Sequence, residues 1–420
     1  MAESMSVYAT YLPDELLLEI LSYVEGWQVK ERQGSLARFC AVNRQWYDVA
    51  VRPLYASPYL YGGAYELFIR TICPSVLAHI KPTALSSLVK VLDLSHIVHN
   101  GNKSVTARLL GRTKTSLTTF IAPQASFAIN CWASLSKCAH LRVLDLTLVS
   151  EMISFQSLNQ TIRQLADLRE LYLPRCSTNY ERVALSMNVR WPPRLQHLSL
   201  SGSVTGKFLW DMLRQPDSFP PSLASLSILH SPGLDHQGIK PLLCNLARTL
   251  TTVELRDLST VKHGRFNAVL DWLPRLTTLT IALDYIDARF AHMPPAFSPS
   301  QWRDAKPLQR LVLVTSGQTN IDPSRCFTAV DLYALIDERF LGRLRYLDVG
   351  LSTEWSREQD GAELGALEML IADDLDRESW VERRWHYEGV DAGGAETYEA
   401  FLETGVGKRM RPRLRMLRNR

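Results

Sequence analysis

Between Leu88 and Ser352 the apolar residues fall into one short pattern, L-x-x-L-x-L or a near variant. It runs through "LVKVLDL" from Leu88, "LTTFIA" from Leu117, "LRVLDL" from Leu141, "LRELYL" from Leu168 and "LQHLSL" from Leu195. It continues in "LASLSI" from Leu223, "LTTVEL" from Leu250, "LTTLTI" from Leu276, "LQRLVL" from Leu308 and "LRYLDV" from Leu344. The starts lie 29, 24, 27, 27, 28, 27, 26, 32 and 36 residues apart, a spacing regular enough to be a repeat. In the nine six-residue copies the first, fourth and sixth positions are apolar, the pattern of a strand with one side turned to a core. Between copies lie amphipathic stretches such as "FQSLNQTIRQLADL", "GKFLWDMLRQ", "DHQGIKPLLCNLARTL", "FNAVLDWL" and "DLYALIDERFLGRL", each read as a return helix. A strand and helix of this length cannot bury their apolar faces alone and must stack on the next copy. The expected fold class is therefore α/β: a solenoid with a parallel inner sheet and outer helices. The two longest intervals place extra loops at "DYIDARFAHMPPAFSPSQWRD" and "TSGQTNIDPSRCFTA", rich in Pro, Ser and Asp.

Ahead of the repeats, residues 12 to about 55 show helical periodicity. In "YLPDELLLEILSYV", Leu16, Leu17, Ile20, Leu21 and Val24 fill one arc, Leu18 widens it and Tyr23 borders it. A surface helix usually shows an apolar stripe of about 100°, and this one is roughly twice as wide. Pro13 suits a first helical turn, and Asp14 and Glu15 suit the positive end of its dipole. The stretch "EGWQVKERQGS" reads as a polar link and "LARFCAV" as a short second helix. "NRQWYDVAVRPLY" reads as a third, capped by Asn43 and stopped by Pro53. Three short helices make a very small core that needs a neighbour.

The repeats resemble the leucine-rich-repeat family in its longer form, with a full helix per turn. The N-terminal helices resemble the F-box: the Leu12-Pro13 opening, "DELLLEILSYV", then "LARFCAVNRQWYDVAVRPLY" with Val42, Arg44, Trp46 and the Leu54-Tyr55 close. The link carrying Trp27 is a few residues longer than the family pattern. An F-box followed by leucine-rich repeats looks like the substrate-receptor subunit of an SCF ubiquitin ligase. The resemblance implies docking on a Skp-type adaptor, and through it on a cullin and a RING subunit, by Leu12, Pro13, Leu16, Leu17, Ile20, Leu21, Val42 and Trp46. It also implies that the repeats bind a protein substrate and that ubiquitin transfer occurs on other subunits. Two competing readings are a plain repeat scaffold that uses the module as a cap, and an F-box protein that binds the adaptor outside a cullin ligase.

The remaining signals narrow this picture. The formal net charge of the 420 residues is +4, but Lys408, Arg409, Arg411, Arg413, Arg415, Arg418 and Arg420 alone exceed it, with no acid from Gly405 onward. The body is thus mildly acidic, and no nucleic-acid partner is expected. No apolar run reaches the ~18–20 residues of a membrane span, and the N-terminus has no secretory pattern, so an intracellular, cytoplasmic or nuclear protein is expected. Seven scattered cysteines without a CxxC pair read as reduced core residues. His96 and His99 lack a second metal-ligand pair, and "GVGKR" lacks the glycine a phosphate loop needs. No catalytic site, metal or cofactor is expected. Candidate substrate contacts lie on the inner strand face: Asp145, Arg169, Tyr172, His197, Glu254, Arg256, Arg310 and Tyr346, with a generic solvated sheet face as the competing reading. The expected organisation is an F-box module at 1–56, a linker and cap at 57–87, about ten repeats at 88–353, a C-terminal cap at 354–404 and a disordered basic tail at 405–420.

Overall fold

The computed structural model describes residues 12–74, 83–97, 103–125, 127, 129–151, 153–175, 189–215, 218–291, 293, 297, 304–318, 323–353, 355, 361–380 and 395–417. The chain divides into two compact units, residues 1–176 with 190–195, and residues 177–189 with 196–420.

The first unit opens with helices. In α1 (Asp14–Glu25), Asp14 and Glu15 occupy the first turn. α2 spans Val29–Cys40, so the stretch read as a link up to Ser35 is largely helical. Lys30, Glu31, Arg32 and Gln33 are good helix formers, and their polarity reflects the water beside them rather than a loop. α3 (Arg44–Ala56) starts at the expected cap, where Asn43 accepts from the Trp46 N–H at 3.0 Å. Pro53 sits inside α3 and does not stop it. Proline near a helix C-terminus removes one hydrogen bond, and packing offsets the loss: Leu54 lies on the core and Tyr55 stacks on Phe68 at 6.3 Å. Leu21, Leu36 and Ala50, one from each helix, form that core with Phe39, Cys40, Val49 and Leu54 around it.

The stretch expected to be a linker and cap contains α4 (Gly63–Ile72), which buries Tyr65, Phe68 and Ile72. The Lys90 N–H donates to the Ala56 carbonyl at 2.9 Å, tying the helices to the first strand. β1 (Val91–Asp93), β2 (Thr119–Ile121), β3 (Val143–Asp145) and β4 (Glu170–Tyr172) pair parallel in chain order. α5 (Lys103–Thr113), α6 (Ile129–Leu135) and α7 (Phe155–Ile162) occupy the connections. Leu92, Phe120, Leu144 and Leu171 stand side by side in this register, all fully buried. Because Leu92 pairs with Phe120, the first repeat begins at the buried Val89, one residue later than expected, and Leu88 is only half-buried.

The second unit continues the pattern. β5 (His197–Leu200), β6 (Ser225–Leu229), β7 (Thr252–Arg256), β8 (Thr278–Ala282), β9 (Arg310–Val314), β10 (Tyr346–Gly350) and β11 (Arg413–Leu417) form a parallel ladder in chain order. α8 (Gly206–Leu213), α9 (His236–Asn245), α10 (Val269–Trp272) and α11 (Ala329–Asp337) lie between them. The fold is thus an N-terminal helical module followed by solenoid-like α/β repeats. All ten expected segments are strands. Their first, fourth and sixth positions are buried, Val89 replacing Leu88 in the first. After β5, β6 and β7 the chain turns in the left-handed region at register-equivalent positions, Gly202, His230 and Asp257 (φ 77, 48 and 56).

The described parts of the two long loops are packed down. Tyr285 is fully buried; its hydroxyl accepts from the Leu258 N–H at 2.6 Å and lies 2.7 Å from Ser316 Oγ. Asp284 accepts from Thr315 Oγ1 and from the Ser316 N–H. The tail expected to be disordered is ordered in its described part: a helix over Gly405–Met410 and then β11, paired with β10. The density of arginine there masks an alternation in which Leu414 joins the apolar row beside Leu347 while Arg413 and Arg415 take the other face. Trp380 packs in a small cluster with Ala395, Tyr398 and Phe401. Among the described residues no helix is long and apolar enough to cross a membrane.

Candidate functional site

Two surfaces carry residues that the fold does not consume. The first is on α1. Its wide apolar arc is split into two halves. Leu17, Leu21 and Val24 are buried against the chain's own helices, at 0%, 5% and 3% exposure. Leu17 and Leu21, expected as adaptor contacts, are therefore core residues. On the adjoining half Leu12 is 39% and Leu16 45% exposed, Ile20 is half-buried and Tyr23 lies open. Residues three or four apart share a helix face, so Leu16, Ile20 and Tyr23 form one strip on α1, with Leu12 just ahead of the helix.

A second element extends the strip. Gln45 Nε2 donates to the Leu12 carbonyl at 2.6 Å and to Asp14 Oδ1 at 2.7 Å. This clamps the start of α3 beside the start of α1. Val42, three residues before Gln45 at the turn into α3, is 59% exposed. Trp46 is half-buried on Phe39, with ring centroids 4.9 Å apart. The arrangement can bury apolar surface; it presents no nucleophile and no acid–base pair.

The second surface is the sheet face away from the helices. In the first unit its central row is Asp93, Ile121, Asp145 and Tyr172. Asp145 accepts from the Thr147 N–H at 2.8 Å and Asp93 from the Ser95 N–H at 2.9 Å, so both carboxylates close the ends of their own strands. Tyr172 donates to Glu170 Oε2 at 3.0 Å, and Arg169 is exposed. In the second unit the row is Ser199, Ser227, Glu254, Thr280, Val312, Asp348 and Arg415. His197 Nδ1 lies 2.7 Å from Ser225 Oγ. Glu254 accepts from Ser227 Oγ at 2.9 Å and stands 2.8 Å from Arg256 Nε.

Arg310 pairs with Asp348 at 3.4 Å and covers the Tyr346 ring at 5.0 Å. Arg413 covers the same ring at 5.5 Å. The structure thus joins Glu254 to Arg256, and Arg310 to Tyr346. It also adds Arg413 and Arg415, which sequence reasoning assigned to a tail; their alternation with Leu414 and Met416 was the available signal. Arg345, one residue before Tyr346, is buried, 3.3 Å from Asp376 and donating to the Met410 carbonyl at 2.7 Å.

The other motifs resolve into packing where they are described. His96 sits edge-on to Tyr59 and Tyr61, at 5.7 and 6.1 Å; His99 lies outside the described residues, as does one of the seven cysteines, Cys176. In "GVGKR" the Gly407 N–H donates to Thr404 Oγ1 at 2.9 Å, and a Cβ there would collide with the Phe401 carbonyl oxygen. That glycine is close-packed in a helical turn and does not cradle a phosphate. Burial pushes the Cys138 thiol up to about 12, which suits a core residue and not a nucleophile. Among the described residues no group of His, Cys, Asp and Glu is placed to hold a metal ion.

Comparison with known proteins gives these surfaces a context. Residues 9–61 match the F-box-like family model, so the chain carries an F-box-like domain at its N-terminus. A Saccharomyces cerevisiae protein named as an F-box protein is 28% identical over 286 residues, 65% of this chain and 57% of that protein. The match thus spans little more than half the length of that relative. The Schizosaccharomyces pombe protein pof5 is 29% identical over 353 residues, 83% of this chain and 91% of its own. Among solved structures, the yeast complex of Rad7 and Elc1 aligns over 80% of both chains at 12% identity with a TM-score of 0.37. A leucine-rich-repeat protein of Leptospira interrogans aligns over 62% of both at 16% identity with a TM-score of 0.30.

Proposed function

We propose that the chain is the non-catalytic substrate-recognition subunit of an SCF-type ubiquitin ligase, acting in the cytoplasm or nucleus. The observation that carries this reading is the apolar surface left open by Leu16 and Ile20 on α1 and Leu12 just ahead of it, with the exposed Val42 at the turn into α3, within an F-box-like domain. A module this small leaves such a strip in water only at a cost of roughly 25 cal/mol for each Å² of apolar surface. A Skp-type adaptor that presents a complementary apolar face would cover it and link the chain to a cullin and a RING subunit. The repeats would hold the protein substrate on their helix-free face, so that a ubiquitin donor elsewhere in the assembly can reach it.

The test is co-purification of the full chain with a Skp-type adaptor and a cullin. Recovery of both is expected. Leu16→Asp combined with Ile20→Asp is expected to abolish recovery while the circular dichroism spectrum is unchanged; capture that survives these substitutions would place the docking face elsewhere. Recovery of the adaptor without the cullin would favour an assembly other than a cullin ligase. Recovery of neither by folded chain would leave a repeat scaffold capped by its own helices.

A further inference from the structure

The last strand of the second unit leaves one edge of the sheet open. β11 is the terminal strand and pairs with β10 on one side only. The Arg413 N–H donates to the Arg345 carbonyl at 2.9 Å, and the Leu417 carbonyl accepts from the Leu351 N–H at 2.8 Å. Successive residues of a strand direct their backbone groups to opposite sides, so Arg413, Arg415 and Leu417 bond β10. Leu414 and Met416 then turn their N–H and carbonyl groups outward, and no hydrogen bond to these groups is formed among the described residues.

Natural sheet edges are blunted by brevity, an internal proline or a bulge. β11 has none of these: its register with β10 is unbroken from Arg413 to Leu417, and Pro412 stands just ahead of it. What it carries is charge. Arg413 and Arg415 share the helix-free face, and neither forms an ion pair among the described residues. On the opposite face Leu414 is half-buried and Met416 is 37% exposed.

We infer that the open edge of β11 takes an extended segment of a partner protein as a further strand, with acidic side chains on the arginine face and apolar side chains beside Leu414 and Met416. In this mode backbone hydrogen bonds supply affinity and the alternating side chains supply selectivity. Side chains opposite each other on neighbouring strands share a face, about 5 Å apart, so acids there meet Arg413 and Arg415. A second copy of β11 is a poor occupant: antiparallel and engaging both outward residues, it would set Arg415 against its own counterpart, and like charges directly opposite repel. A nucleic acid has no amides with which to continue the ladder. The inference goes beyond the ligase reading and does not depend on it.

The test measures fluorescence anisotropy of labelled decapeptides with the purified full chain. One peptide alternates glutamate and valine, and a second alternates lysine and valine. Two more are the first peptide N-methylated on every glutamate or on every valine. The glutamate peptide is expected to bind at least tenfold more tightly than the lysine peptide. Methyl groups on the amides that face β11 remove its donors, and methyl groups on the amides that face water do not. One methylated peptide should therefore lose at least tenfold while the other binds as the unmethylated one does. Met416→Pro removes an outward donor where an edge strand tolerates proline, so it should weaken binding at least tenfold with the melting temperature unchanged. Arg413→Glu with Arg415→Glu should reverse the preference toward the lysine peptide, which decides the matter should the proline variant unfold. Equal binding of the glutamate and lysine peptides, equal effects of the two methylation patterns, or binding untouched by Met416→Pro would overturn the inference and leave arginines that only shield the edge. So would a dimer in sedimentation that Met416→Pro dissolves, because the edge would then belong to a second copy. Failure of adaptor capture with peptide binding intact would sink the ligase reading alone.

Discussion

At the scale of single residues, Asp287 shows how one side chain organises a loop. It is buried, and its carboxylate accepts from Asn267 Nδ2 at 2.6 Å, the Arg289 N–H at 2.9 Å and the Arg289 guanidinium at 3.0 Å. Burial alone would raise its pKa, but the hydrogen bonds from Arg289 and Asn267, with the Arg289 charge, hold it down at about 2. Gly264 makes room for it: at φ +73, a Cβ there would collide with Asp287 Oδ2. A carboxylate whose pKa is lower folded than unfolded stabilises the fold above its unfolded value, near 4, and that contribution fades as pH falls toward 2. Asp287→Asn is therefore expected to cost about 1–3 kcal/mol at pH 7. In urea unfolding the gap to the parent chain should narrow between pH 4 and pH 2; a gap independent of pH would show that the charge plays no part.

At the scale of elements, α1 separates two roles that its composition merges. The half with Leu17, Leu21 and Val24 builds the module, and the half with Leu12, Leu16 and Ile20 is left for a partner. Leu17→Ala should lower stability by about 2–5 kcal/mol, because it opens a cavity in a very small core. Leu16→Ala should stay within about 0.5 kcal/mol of the parent in thermal unfolding, as exposed substitutions do, yet weaken adaptor capture. Similar effects of the two variants on both measurements would contradict the division of the helix. The wheel alone shows an over-wide arc and not its split, since both halves are aliphatic. Which half turns inward depends on where Leu36 and Ala50 arrive from α2 and α3. The same limit explains α2: its solvent-side residues hide a helix that the apolar pattern reveals only from Leu36 onward.

At the scale of the whole molecule, the repeats depend on one another for closure. β11 covers the edge of β10, and Arg345 and Tyr346 hold the chain leading into it through the Met410 carbonyl. A chain ending at Met410 should melt at lower temperature and self-associate with rising concentration through the bared edge of β10, as light scattering would record. It should still capture the adaptor, because that surface belongs to α1 and the turn into α3. An unchanged melting temperature and a monodisperse monomer would mean that β11 is dispensable to the fold.

The ten strands, their inward leucines and the Asn43 cap were legible in the sequence because each follows from local periodicity or local hydrogen bonding. The apolar strip on α1 was legible as an excess. Three features were decided by the tertiary structure alone: the burial of Leu17 and Leu21, the withdrawal of Arg345 to Asp376, and the gathering of Arg310, Tyr346 and Arg413 across three strands. The physical reason is common to all three. Periodicity says which residues share a face of their own element. Only the packing and register of elements distant in the chain determine what that face meets.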